Sequence, residues 1–165
     1  MLYPEIVVVG CGNPLFADDG FGPAVIDNLK RSALPGNVKA VDAGTGAQEF
    51  VFSLLDPNVT QKVIVIDIMD FGAKSGSVTL LKINDFPFDF ISDVQKGGIA
   101  ESLQLIKRHI EVLVIGCQPE YVSYPKMKPE LSHEVQNAIP KAIKIILELI
   151  KIDFRKTCMF YNYFY

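Results

Sequence analysis

Asp18, Asp19 and Asp67 are the side chains from which a chemistry can be built. Each comes after an apolar run: IVVVG precedes the first two across a Cys-Gly-Asn-Pro turn, and KVIVI ends directly at Asp67. As a solvated helix N-terminus, Asp18 and Asp19 would do no more than answer a dipole, worth about 0.3–1 kcal/mol. Asp67 resists that plain reading, because an acid ending a central buried strand needs partners or a task at the sheet edge. Two or three carboxylates in one crevice can hold a divalent cation, accept a phosphoryl group or bind a cationic ligand. Residue types alone do not choose among these.

Other chemistries fail on spacing. Gly10 and Gly12 suggest a dinucleotide fingerprint, but its third glycine position is Leu15, and Pro14 disturbs the tight turn. There is no Gly-Lys-Ser/Thr to cradle a phosphate. His109 belongs to the amino end of a strand, the wrong edge for this crevice, and suits a helix C-terminus. His133 stands beside the helix cap Ser132 and reads as structural. No Ser-His-Asp, Cys-His or His-Glu-x-x-His arrangement can be drawn, which argues against a covalent serine or cysteine protease. Cys11, Cys117 and Cys158 are an odd number at wide spacing, neither a disulfide framework nor a zinc pattern. They read as reduced, mostly buried thiols, although Cys11 and Cys117 both follow apolar strands and can line the same edge.

The elements that must position the acids alternate along the chain. Strands are expected at Glu5–Gly10, Val38–Val41, Lys62–Ile66, Ser77–Ile83 and Ile110–Gly116. The fourth alternates in polarity and follows too short a connection for a crossover helix, so it is an antiparallel edge. Helices are expected from about Gly20 to Arg31 with Asp18 or Asp19 as cap, through Phe50–Leu55, from Ser92 or Asp93 to about Arg108, and from Ser132 to Ile150. This predicts an α/β fold, a three-layer α/β/α sandwich around a twisted, mostly parallel five-stranded sheet. With strand order 2-1-3 at its centre, the carboxyl ends of strands one and three flank the switch point, and Asp19 and Asp67 face one crevice.

The chain has 165 residues, 49% hydrophobic and 21% charged, with a net charge of −3. That is one domain, 1–165, with no basic footprint for nucleic acid. It has neither a membrane-length apolar run nor a secretory leader, so a cytoplasmic monomer is expected. The tail, about residues 153–165, is aromatic and uncharged after Lys156, and its pattern is neither clearly helical nor clearly flexible.

In sequence order, Gly10-x-Gly12-Asn13-x5-Asp19-Gly20-x-Gly22, Asp42-x-Gly44-Thr45 and Val65-Ile66-Asp67-x2-Asp70-x-Gly72 resemble the nickel-iron hydrogenase maturation endopeptidases. Gly116-x2-Pro119-Glu120 and Leu131-Ser132-x2-Val135 continue the likeness, which spans about Ile6 to Ile150. The passages NDFPFDF and VQKGGIAE look most like the subgroup serving coenzyme F420-reducing hydrogenases. The resemblance implies a peptidase that removes the C-terminal extension of a hydrogenase large-subunit precursor once nickel is inserted. It needs no cofactor of its own, because it recognises nickel already carried by the precursor. Its two metal-contacting, catalytic carboxylates fall on Asp19 and Asp67, and Gly44, Thr45, Asp70 and Gly72 fall among the substrate contacts.

Two departures from the family pattern stand out. Aspartate replaces glutamate at position 19, one methylene shorter. The segment that supplies the family's histidine aligns with Asp93–Gly98, where Gln95 or Asp93 takes its place as metal contact. A glutamine oxygen is a weaker nickel ligand than imidazole, and a third carboxylate makes a harder site. Two alternatives stay open: a receiver-like phosphoacceptor domain, and a non-catalytic hydrogenase-assembly protein.

Overall fold

β-branched residues buried on both faces make the middle of the sheet. The computed structural model describes residues 3–46, 53–83 and 109–161, with side chains of the last helix as far as residue 151. In chain order these form β1 (Ile6–Cys11), a 3-10 turn (Asp18–Gly20), α1 (Phe21–Leu29), β2 (Val38–Gly44), β3 (Lys62–Ile68), β4 (Val78–Lys82), β5 (Glu111–Cys117) and α2 (His133–Tyr161). The strand order is β2-β1-β3-β5-β4, parallel except for the antiparallel edge β4. This is the expected mixed sheet, with strands one and three as neighbours.

Alternation sorts the side chains by face. Val8, Ile64, Ile66, Leu113 and Ile115 pack with Phe21, Val25 and Ile26 of α1 and with Val135, Ala142 and Ile146 of α2. Val7, Val9, Val63, Val65, Val112 and Val114 form a second buried cluster with Met69 and Ile83. Burial on both faces is what a sandwiched parallel sheet requires. Each such side chain contributes about 1.5–3 kcal/mol relative to exposure.

Several boundaries differ from the sequence expectation. β2 runs on to Gly44, so Asp42 and Gly44 belong to a strand, not a turn. β3 runs through Asp67 to Ile68 because β5 keeps pairing with it, Asp67 opposite Gly116 and Ile68 opposite Cys117. Neither Asp18 nor Asp19 caps α1. Gly20 holds that position without a side-chain hydrogen bond. Ser132 does cap α2, its Oγ accepting the Val135 N–H at 3.4 Å. That helix continues past Ile150 to Tyr161, taking in much of the aromatic tail. The helix expected over 93–108 and the NDFPFDF passage lie outside the described residues, as do residues 50–52 of the helix expected through Phe50–Leu55. Among the described residues, no helix is long and apolar enough to cross a membrane.

Candidate active site

Close backbone approach delivers Asp19 to the end of β1. A Cβ on Gly10 would lie 2.5 Å from the Gly22 carbonyl oxygen, so α1 rests directly on the strand. Gly12 has φ +112°, in the region that favours glycine, and a Cβ there would collide with the backbone oxygen of Asp19. Its N–H donates to the Gly44 carbonyl of β2 at 3.2 Å. The next N–H, of Asn13, donates to Asp19 Oδ2 at 2.8 Å. The glycines therefore fold the turn back on itself and pin a half-buried carboxylate above the sheet.

Asp67 reaches the same edge from β3, against which the 3-10 turn packs. It is partly buried, and its Oδ1 accepts the Ile68 N–H at 2.8 Å. Burial pushes its carboxyl up to about 7; the Ile68 N–H opposes this, and the negative charge of Asp19 adds to it. Burial also raises Asp19, against the pull of the Asn13 N–H. Cys11 ends β1 at the same edge. Burial first, then the charges of Asp67, Asp42 and Asp19, holds its thiol well above the ordinary range and protonated. No lysine, arginine or histidine among the described residues lies within 4.0 Å of any of these three acids. No group of three or more His, Cys, Asp or Glu among the described residues is arranged to hold a metal ion. Gln95 and Asp93 fall outside the described residues.

Asp18 behaves quite differently from its neighbour. It is fully buried, and its carboxylate accepts the N–H groups of Glu120 at 2.8 Å, Tyr121 at 3.1 Å and Ser132 at 2.7 Å, and the Ser132 hydroxyl at 3.0 Å. It therefore ties the first turn to the loop after β5 and to the start of α2. With its oxygens so engaged, it cannot join Asp19 in the acid pair of a receiver domain. Just before it, Ala17 has φ 56° and ψ −123°, a conformation that costs an L residue on the order of 1–3 kcal/mol. Hydrogen bonds from its N–H to Lys128 O (2.8 Å) and from Gly20 N–H to its carbonyl (3.0 Å) hold it there.

The remaining sequence candidates occupy neighbouring loops. Asp70 is exposed and closes a small turn by accepting the Gly72 N–H at 3.2 Å. Gln118 Nε2 donates to it at 3.0 Å, and these two bonds, Gln118 first, hold its carboxyl below the usual range. Gln118 Oε1 also accepts the Phe71 N–H at 2.9 Å, so Gln118 fixes the loop that follows β3. Gly44 pairs with Cys11 at the end of β2, and Thr45 is exposed just beyond. Sequence reasoning had not placed Asp42 or Gln118 in the site. The signal that found Asp67, an acid closing an apolar strand, also marks Asp42 after Val41.

A family model described as hydrogenase maturation protease matches residues 23–149. The coenzyme F420 hydrogenase subunit delta of Methanothermobacter thermautotrophicus is 40% identical over 153 residues, covering 90% of this chain and 96% of that protein. The crystal structure of a hydrogenase 2 maturation peptidase from a Thaumarchaeota archaeon is 32% identical, with TM-score 0.64, covering 89% of this chain and 98% of that one. The hydrogenase maturating endopeptidase HybD of E. coli, 20% identical, shares the fold with TM-score 0.71 over 90% of this chain and 93% of its own.

Proposed function

The chain belongs to the hydrogenase maturation protease family, and from that premise we propose that it cuts the C-terminal extension from a large-subunit precursor after nickel insertion. The likeness to the F420 hydrogenase delta subunit supports a coenzyme F420-reducing hydrogenase as the source of that precursor. The enzyme works as a cytoplasmic monomer without a cofactor of its own. Nickel arrives as part of the substrate.

One observation carries the reading of the site. Asp19 and Asp67 come from different elements at one sheet edge, where the charge of Asp19 reaches Asp67, with no cationic side chain beside them among the described residues. Such a pair suits a cation brought from outside. Asp19 and Asp67 contact the precursor's nickel, and Gln95 or Asp93 completes the set. A cation in the crevice favours ionised Asp67, and the carboxylates orient a water for attack on the scissile carbonyl. Gly44 and Thr45 on one side, and the turn of Asp70 and Gly72 on the other, line the approach of the peptide.

The test is processing of nickel-loaded precursor by Asp19→Asn and Asp67→Asn, with the mass of the product read directly. Each variant is expected to lose at least about 100-fold in rate. Undiminished cleavage by both would remove these carboxylates from the mechanism. Precursor binding without any cleavage by the native enzyme would instead favour a non-catalytic assembly role.

A further inference from the structure

Leu15, Val122, Tyr124 and Met127 are four of the five large apolar side chains left exposed among the described residues; Tyr124 and Met127 are 72% and 73% exposed. All four lie on one ribbon beside the turn that carries Asp19. The fifth, Leu80, is on the edge strand β4. The ribbon is made by Leu15–Asp18 running between two parts of the loop after β5. The Lys128 N–H donates to Leu15 O at 2.8 Å, the Ala17 N–H to Lys128 O at 2.8 Å, and the Asp18 N–H to Tyr121 O at 3.4 Å. Phe16 and Tyr124 meet edge to face with centroids 5.2 Å apart, and the Lys128 ammonium lies 4.9 Å from the Tyr121 ring centroid.

We propose that this ribbon is the docking surface for the body of the hydrogenase large-subunit precursor, an inference that rests on the peptidase reading above. Continuity identifies the occupant. The ribbon's central segment runs straight into Asp18 and Asp19, and the Asp19 N–H donates back to Phe16 O at 3.4 Å. A protein whose cleavage site lies against Asp19 therefore meets the ribbon on the same approach. The residue types fit a protein partner: an exposed tyrosine and a methionine supply large contact area, and methionine adapts its shape. The backbone bonds and the Asp18 carboxylate hold the ribbon's shape before the partner arrives, which lowers the ordering cost of association. Because the ribbon and Asp19 share one segment, docking also fixes the carboxylate relative to the bound precursor.

The experiment measures the dissociation constant of full-length enzyme for nickel-loaded large-subunit precursor, and its cleavage in parallel. The double variant Tyr124→Ser/Met127→Ser is expected to weaken binding about tenfold, with the thermal midpoint lowered by no more than about 4 °C through loss of the Phe16–Tyr124 ring contact. Leu80→Ser, equally apolar but on the far edge strand, is expected to bind within about twofold of native. A double variant that binds as tightly as native overturns the docking surface, as does weakening of the same size by Leu80→Ser. So does a native dimer that the double variant dissociates while precursor affinity stays unchanged, since the ribbon would then serve a second copy of the chain. Ribbon-dependent binding without cleavage would count against the peptidase reading and leave the docking surface standing.

Discussion

At the amino edge of the sheet, the buried Lys62 places its ammonium 3.2 Å from Glu111 of the neighbouring strand. Close by, Asn37 donates to the Glu5 carboxylate at 2.7 Å and Thr60 to the Pro4 carbonyl at 2.9 Å. At the carboxyl edge, the charges of Asp67, Asp42 and Asp19 all reach the neutral thiol of Cys11, and no cation among the described residues lies within 4.0 Å of these acids. Both edges end the same central strands, so strand chemistry does not make the difference. Charge that stabilises a fold is paired within it. The acids of the candidate site are left unpaired, and burial pushes the carboxyls of Asp19 and Asp67 upward.

The contrast breaks first at Asp18, the acid that sits by the site yet is satisfied like those of the amino edge. Asp18→Ala strands three backbone N–H groups and the Ser132 hydroxyl in a buried place. Its expected cost is about 3 kcal/mol, seen as a fall in urea midpoint, and it should exceed that of any substitution at Asp19.

Asp67→Asn sharpens the contrast in the opposite direction. The folded state keeps a proton on Asp67 up to about pH 7, whereas the unfolded chain releases it near pH 4. The native protein therefore loses stability as pH rises across that window, and no further from this group above it. Asparagine still accepts the Ile68 N–H but has no charge to desolvate. The variant should match the native melting temperature near pH 4 and exceed it by roughly 8 °C or more at pH 8, while failing to process precursor. Equal melting temperatures at pH 8 would mean that water relieves the carboxylate.

The smallest effect belongs to Glu111→Gln at the amino edge. Glu111 is largely solvated, so the loss should be about 1 kcal/mol or less, with processing unchanged. A large loss of processing there would erase the distinction between the two edges.

Much of this was legible in the chain. Val7–Val9, Val63–Ile66 and Val112–Ile115 announce buried parallel strands, and an acid at the end of such a run marks a candidate edge for chemistry. What local pattern could not show was decided by distant partners. Asp18 looked like a helix cap, but its acceptors are filled by Glu120, Tyr121 and Ser132, more than 100 residues away. Asp67 looked like the first residue past its strand, yet pairing with β5 carries the strand two residues further. Gly10 and Gly12 fail as a phosphate cradle on spacing alone, but only the close approach of the α1 backbone to β1 and β3 shows what Gly10, Gly12 and Gly22 are for. The third corner of the site, at Gln95 or Asp93, lies outside the described residues.

The Asp18 knot also sets an order of events. A nascent chain emerges with Asp18 early and its partners more than 100 residues later, so the loop closed by these bonds is among the longest in the fold. Until the segment from Glu120 to Ser132 has been made, the turn beneath Asp19 has only its local bonds and the Gly12–Gly44 bond to hold it, and Ala17 lacks the Lys128 carbonyl that anchors its unfavourable backbone angles. The turn that carries Asp19 thus depends on residues more than 100 positions further along the chain. A chain cut short before Glu120 is expected to lack those anchors even where β1, β2 and β3 are all present.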